Sequence, residues 1–213
     1  MSDFWGVLIA YLAGSIPVGY LLVSWKRDAD VRTLGSGDTG AVNVTRVLGW
    51  RFGAAVLVWE LAVAYGAVWL TGWLTGHSEL MMSAAAFAAM LANAFPIFLE
   101  FRGGKAAAAG VGAFLCLMPW AVAAALFVFA AMVLATRYIS AGSVVAALSF
   151  PLAAWLIAKP AGVPMVAAVL AAVLVVWRHD DNLRRMHAGA EPVIGIGWKR
   201  RRDRAQPFYR RRV

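Results

Sequence analysis

Four polar segments interrupt an otherwise apolar chain, and each carries residue types able to bind phosphate. The first reads Gly35-Ser36-Gly37-Asp38-Thr39-Gly40-Ala41-Val42-Asn43-Val44-Thr45-Arg46. Gly35, Gly37 and Gly40 match the GxGxxG pattern, but that fingerprint has meaning only between a strand and a helix, and here an apolar helix precedes it. Simpler physics remains: glycines let backbone N–H groups approach an anion, Ser36 adds a hydroxyl, and Arg46 adds a charged fork. The second segment, Phe101-Arg102-Gly103-Gly104-Lys105, places paired glycines and a lysine at the start of an apolar run, again suited to an anion at a helix N-terminus. The third, Arg137-Tyr138-Ile139-Ser140-Ala141-Gly142-Ser143, reads alone as a helix start with a serine cap and a basic anchor. The fourth is Arg178-His179-Asp180-Asp181-Asn182-Leu183-Arg184-Arg185, followed by Gly189, Glu191 and Pro192. His179 and Asn182 lie three apart and share a face if the preceding helix runs on. For each segment a solvated loop or a basic anchor is the competing reading. No histidine begins a His-x4-Asp pattern, and no clustered His/Cys/Glu set suggests a metal, so no metal or cofactor is expected.

The elements that must position these residues follow from composition. Of 213 residues, 62% are hydrophobic and 15% charged, against about 45–50% and 25% in soluble domains. Lipid must therefore solvate much of the surface. A net charge of +9 taken alone could suggest nucleic acid, but its placement beside apolar spans argues for a membrane and against a nucleic-acid partner. The single Cys116 excludes an intrachain disulfide. The Met-Ser-Asp-Phe-Trp start lacks a basic n-region and is expected to be a retained first span.

Seven spans are predicted, at 4–23, 53–73, 81–98, 106–118, 120–136, 141–158 and 162–177. Pro119 predicts a hairpin between the fourth and fifth, the alternative being one kinked span and a total of six. Basic residues decide. Lys26, Arg27, Arg32, Arg46 and Arg51 follow span one; Arg102 and Lys105 follow span three. Arg137 follows span five; Arg178, Arg184, Arg185 and the tail from Lys199 to Arg212 follow span seven. Seven spans put all of these on one side, with Lys159 alone opposite, whereas six would divide them. The expectation is an all-α polytopic bundle over 1–198, N-terminus outside and C-terminus cytoplasmic, with a basic cytoplasmic tail over 199–213 resting against anionic headgroups. Trp5, Trp73 and Trp120 fall at predicted outer ends, and Trp25, Trp50 and Trp177 at inner ends, where amphipathic rings prefer to sit.

Taken together, these segments resemble the bacterial acyl-phosphate:glycerol-3-phosphate acyltransferases, the PlsY family. The resemblance begins at Ala13-Gly14-Ser15-Ile16-Pro17-Val18-Gly19-Tyr20 and continues in order through Gly35–Arg46, Phe95–Lys105, Arg137–Ser143 and Arg178–Glu191. It implies a seven-helix bundle in the bacterial plasma membrane with its site at the cytoplasmic face. It also implies transfer of an acyl group from acyl phosphate to glycerol 3-phosphate, giving lysophosphatidic acid without cofactor, metal or acyl-enzyme. By resemblance, Ser36, Arg46, Lys105, Ser143, His179 and Asn182 line the site, and Glu191 is structural. Ser36, Lys105, His179 and Asn182 are the expected catalytic set. Gly35, Gly37, Gly40, Asn43, Arg46, Gly103, Gly104, Ser140 and Ser143 are the expected substrate-binding set.

Several positions depart from the family pattern: Asp38 replaces asparagine, Val42 threonine, Val63 a second-span lysine, Asn93 histidine and Ala106 glycine. They leave open a catalytically impaired paralogue. A small transporter or binding protein for anionic lipids or phosphate esters is the alternative from another class. Transporters, however, place ionisable groups near the midplane, and here only Glu60 is deep. An acid so placed must be paired or functional, so Glu60 is expected to face the bundle and hydrogen-bond Asn93.

Overall fold

The computed structural model describes residues 3–160 and 162–194; the expected basic tail lies outside them. Ten α-helices appear among these residues: α1 (Asp3–Gly14), α2 (Val18–Arg27), α3 (Ala41–Leu48), α4 (Trp50–Leu74), α5 (Glu79–Ala94), α6 (Ala107–Leu117), α7 (Pro119–Thr136), α8 (Ile139–Ala153), α9 (Val163–Arg178) and α10 (Asp180–His187). Short 3-10 turns occupy Val31–Thr33 and Ile97–Leu99, and a π turn over Ala154–Ala158 extends α8.

Helix ends follow the local chemistry. Pro17 has no N–H to donate and its ring excludes a straight helix, so α1 stops at Gly14 and Pro17 caps α2. The two still form one apolar span, Phe4–Arg27. Met118 leaves helical geometry (φ −143°, ψ 62°) and Pro119 opens α7. Helices α6 and α7 are thus separated by a break at Met118. Pro151 lies within α8, and the π turn after it ends at Lys159, which takes a left-handed conformation (φ 49°).

α5 lies at the centre, packed on α1, α4, α6 and α9, while α7 packs on α8 and α8 on α9. Its buried face is almost all small: Ala85, Ala86, Ala88, Ala89, Ala92 and Ala94. In lipid, apolar burial does not drive helix association, so small residues that permit close backbone approach take over that task. Gly112 of α6 illustrates it, since a Cβ there would overlap the Leu61 carbonyl of α4. Large apolar side chains of α4, α7, α8 and α9, among them Val58, Phe127, Leu148 and Val173, point outward. All six tryptophans placed at span ends by the sequence are likewise exposed.

Five spans are long and apolar enough to cross a membrane: Phe4–Arg27, Trp50–Leu74, Glu79–Leu99, Pro119–Thr136 and Ile139–Ala158. α9 and α10, bent by 49° from each other, make a sixth if the pair is counted as one span. The remaining predicted span, α6, has 11 residues, about 16 Å of helix against a hydrocarbon core of about 30 Å. It is helical where expected but too short to cross alone. α3 was not anticipated: Val44 and Val47, three apart, form its buried stripe, inside what the sequence presents as a glycine loop.

Candidate active site

Asn43 organises the loop between α2 and α3. It is completely buried, and its Nδ2 donates to the carbonyls of Val31 (3.2 Å), Leu34 (3.1 Å) and Asp38 (2.7 Å). Its Oδ1 accepts the Ser36 N–H at 2.8 Å. Gly35 is needed beside it: its φ is +58°, and a Cβ would strike Asn43 Oδ1. Arg32 ties this loop to the next one, pairing with Asp30 at 2.7 Å and donating to the Leu99 carbonyl at 3.2 Å. The N–H groups of Ser36, Gly37 and Gly40 are committed within the loop. The anion-binding capacity therefore rests with side chains and with the N-terminus of α3, where Gly40 at the cap and Ala41 and Val42 in the first turn line a cavity.

The second segment is held from both sides. Gly103 and Gly104 donate their N–H groups to the Ala94 (3.1 Å) and Asn93 (2.8 Å) carbonyls, so they do not form the open cradle that the sequence suggested. Arg178 donates to the carbonyls of Gly103 (3.2 Å) and Gly104 (2.8 Å) and lies over the Phe95 ring. Asn93 Oδ1 accepts the Ala106 N–H at 3.0 Å, and its Nδ2 donates to Glu60 Oε1 at 3.1 Å. The expected Glu60–Asn93 pair is present. What these bonds fix is the position of Lys105, whose Nζ pairs with Asp38 Oδ2. Asp38 also accepts the Ser36 hydroxyl at 2.7 Å and the Gly40 N–H at 3.0 Å. Burial alone would raise its pKa, but the Lys105 charge and hydrogen bond, helped by Ser36 and Arg46, hold it below the usual carboxylate range.

The third and fourth segments meet over Glu191. Its Oε1 accepts from Ser140 Oγ (2.6 Å) and Asn182 Nδ2 (2.7 Å), and its Oε2 from Arg185 Nε (2.8 Å). Arg46 Nη2 stands 3.8 Å away. Burial pushes the Glu191 pKa upward, yet the bonds from Ser140, Arg185 and Asn182 outweigh it and hold the carboxyl ionised. Asn182 Nδ2 also donates to Ser140 Oγ at 2.8 Å, while its buried Oδ1 has no partner among the described residues. His179 sits at the bend between α9 and α10, its Nδ1 2.7 Å from the Val175 carbonyl. That carbonyl can only accept, so in the neutral ring the proton is on Nδ1 and Nε2 carries a lone pair. His179 and Asn182 are both buried beside the cavity, the bend accomplishing what a straight helix was expected to do.

One cavity of about 700 Å³ joins all four segments. Gly40, Arg46, Lys105, Ser140, Ser143, His179 and Asn182 line its polar end, together with Asp38, Glu60 and Asn93. Its walls then become apolar, through Leu57, Leu61, Val122, Leu126 and Phe129, as far as Phe114 and Phe150, whose rings meet at 4.9 Å. Gly35, Ser36, Gly37 and Asn43 stand behind the Asp38 wall, with Ser36 reaching it through its hydroxyl. Gly103 and Gly104 support Lys105. Sequence reasoning gave Arg178 only a charge-anchoring part, and only its position one residue before His179 pointed to the site. Among the described residues, no group of three His, Cys, Asp or Glu side chains could hold a metal ion.

A cavity with polar and cationic groups beside apolar walls, inside a bundle of apolar helices long enough to cross a membrane, defines an integral membrane protein. Residues 4–189 match the family model described as glycerol-3-phosphate acyltransferase, and the chain belongs to that family of membrane acyltransferases. It is 38% identical over 198 residues to the glycerol-3-phosphate acyltransferase of Thermosynechococcus vestitus, covering 88% of this chain and 93% of that one. It is 40% identical over 189 residues to that of Parasynechococcus marenigrum, covering 88% and 87%. The glycerol 3-phosphate form of PlsY (YgiH), an integral membrane glycerol 3-phosphate acyltransferase, superimposes with a TM-score of 0.86 at 29% identity, covering 92% of this chain and 96% of that one. The lysophosphatidic acid form of PlsY superimposes with a TM-score of 0.80 at 28% identity over the same shares.

Proposed function

We propose that this enzyme transfers a fatty acyl group from acyl phosphate to glycerol 3-phosphate and releases lysophosphatidic acid and phosphate. The observation that carries the reading is the single cavity with a cation-bearing end and an apolar slot. The slot takes the acyl chain. Lys105, Arg46, Ser36 and the α3 N-terminus bind phosphate, with Gly35, Gly37, Gly40 and Asn43 shaping that loop and Gly103 and Gly104 placing the lysine. His179 Nε2 and the unpartnered Asn182 Oδ1 accept hydrogen bonds from the glycerol hydroxyls, and Ser140 and Ser143 complete that wall.

In the reaction, the acceptor hydroxyl oxygen bonds to the acyl carbonyl carbon, the carbonyl carbon–phosphate oxygen bond breaks, and the pair leaves on phosphate. The hydroxyl proton passes to a phosphate oxygen, whose second pKa lies near neutrality. An acyl phosphate is already activated, so positioning and charge stabilisation supply the catalysis, with no acyl-enzyme. All seven apolar segments cross or enter the bilayer, α6 sheltered by α4 and α5. The basic loops then lie in the cytoplasm of a bacterium, the N-terminus outside and the C-terminal tail inside against anionic lipid. The bundle over 1–198 and the tail over 199–213 act as one membrane unit and a tether.

The test is donor choice. Purified protein in detergent should acylate glycerol 3-phosphate from acyl phosphate and ignore acyl-CoA, since the lining offers nothing for an adenine or a pantetheine arm. Faster turnover with acyl-CoA refutes the assignment.

A further inference from the structure

Asp38 has no part in the scheme above, yet it holds two of the groups assigned to phosphate. Its Oδ2 accepts the Ser36 hydroxyl at 2.7 Å and pairs with Lys105 Nζ, while Oδ1 accepts the Gly40 N–H at 3.0 Å. A hydroxyl, an ammonium and a backbone N–H at a helix start are the donors that phosphate oxygens would use. The carboxylate thus presents two oxygens where a phosphate presents three. Asp38 is 8% exposed and lines the cavity, so its charge faces the site and is weakly screened by water. Glu60 lies on the same side: the point at which a Gly40 Cβ would sit is 3.3 Å from Asp38 Oδ1 and 3.9 Å from Glu60 Oε1. Glu191, the other buried acid, is bonded to Arg185 and stands 3.8 Å from Arg46. An arriving phosphate therefore meets a Lys105 already neutralised by its neighbour.

We infer that Asp38 is an internal anionic competitor, which occupies Ser36 and Lys105 until substrate phosphate displaces it. It thereby sets the phosphate affinity of this enzyme below that of the same site bearing a neutral amide. This rests on the assignment of Ser36 and Lys105 to phosphate. An asparagine at position 38 keeps an oxygen for the Gly40 N–H, removes the charge, and puts an NH2 that cannot accept in place of Oδ2, so Ser36 and Lys105 are both released to phosphate.

The experiment measures KM for acyl phosphate and the inhibition constant of inorganic phosphate on the purified full chain. The variants are Asp38→Asn, Lys105→Ala, Ser36→Ala and the Asp38→Asn/Lys105→Ala double variant. Asp38→Asn should lower both constants about tenfold, as expected when a like charge is removed from beside an anion, and the change should appear in KM rather than kcat. The gain should vanish in the Lys105→Ala background. If Asp38→Asn does not fold, Asp38→Ser, which also keeps an acceptor without charge, should give the same shift. Unchanged or raised constants in the folded variant show that Asp38 presents Lys105 to substrate and overturn the inference. If instead Lys105→Ala and Ser36→Ala both leave KM and turnover at wild-type values, the phosphate assignment itself falls, whatever Asp38 does.

Discussion

Replacing Asn43 tests whether this residue builds the phosphate loop from within. Its two amide hydrogens are shared among three carbonyls, and its oxygen holds the Ser36 N–H. Asn43→Ala removes about three hydrogen bonds, each worth about 1 kcal/mol net, so the loop loses about 3 kcal/mol. An opening that was rare becomes about a hundredfold more populated. Asn43→Asp is the sharper variant. It keeps the shape and the acceptor for Ser36 but turns an oxygen toward the carbonyls of Val31, Leu34 and Asp38, so it should do at least as much damage as alanine. Hydrogen exchange of the purified protein should show faster exchange confined to the segment from Val31 to Arg46. Turnover should fall, while the melting of the α4–α5–α6 core changes little. An Asn43→Asp variant with wild-type exchange and turnover would refute the reasoning.

Glu60→Gln should fold and keep its activity, because an amide can still bond Asn93, whereas Glu60→Leu orphans the Asn93 amide in the bundle and should cost about 1–3 kcal/mol of stability in a melting assay. Acid should unfold the protein through Glu191 and Asp38. Both have folded pKa values below the unfolded ones, so their stabilisation is complete above about pH 4, the ordinary carboxylate value, and is lost as pH falls through the folded values. Glu191→Gln should accordingly melt lower than wild type at pH 7 and converge with it in acid. Phe150→Ala, which enlarges the slot beside Phe114, should move the chain-length optimum of kcat/KM to longer acyl phosphates; an unchanged optimum would show that the chain does not reach that far.

The membrane class and the helical segments were legible because about 20 consecutive apolar residues leave few alternatives. The site was legible as four segments because polar residues are costly in lipid and cluster where they are used. Glu60 and Asn93 could be paired from their similar depth together with the family pattern, in which Asn93 stands at a histidine position and Val63 at the lysine. The parts that could not be read depend on geometry with no periodic signature. Asn43 looks like any loop asparagine until three carbonyls surround it. Arg178 looks like an interfacial anchor until its guanidinium meets the Gly103–Gly104 carbonyls. The glycines suggested free N–H groups, and the structure commits those of Gly37, Gly40, Gly103 and Gly104 to neighbours. α3 was hidden because eight residues with one short apolar stripe give a weak helical signal between Gly35, Gly37 and Gly40 on one side and Gly49 on the other. The length of α6 was visible, but sequence alone gives no measure of how far a sheltered helix can fall short of the bilayer.

The most direct test of the account is the formation of lysophosphatidic acid from acyl phosphate and glycerol 3-phosphate by wild type, Ser36→Ala and Lys105→Ala, purified side by side with melting temperatures recorded. The account predicts product and equimolar phosphate from wild type. Each variant should fold and turn over about 10²–10³ slower, the usual cost of one oriented donor to a developing charge. No product from folded wild type, or wild-type rates from both variants, would contradict it.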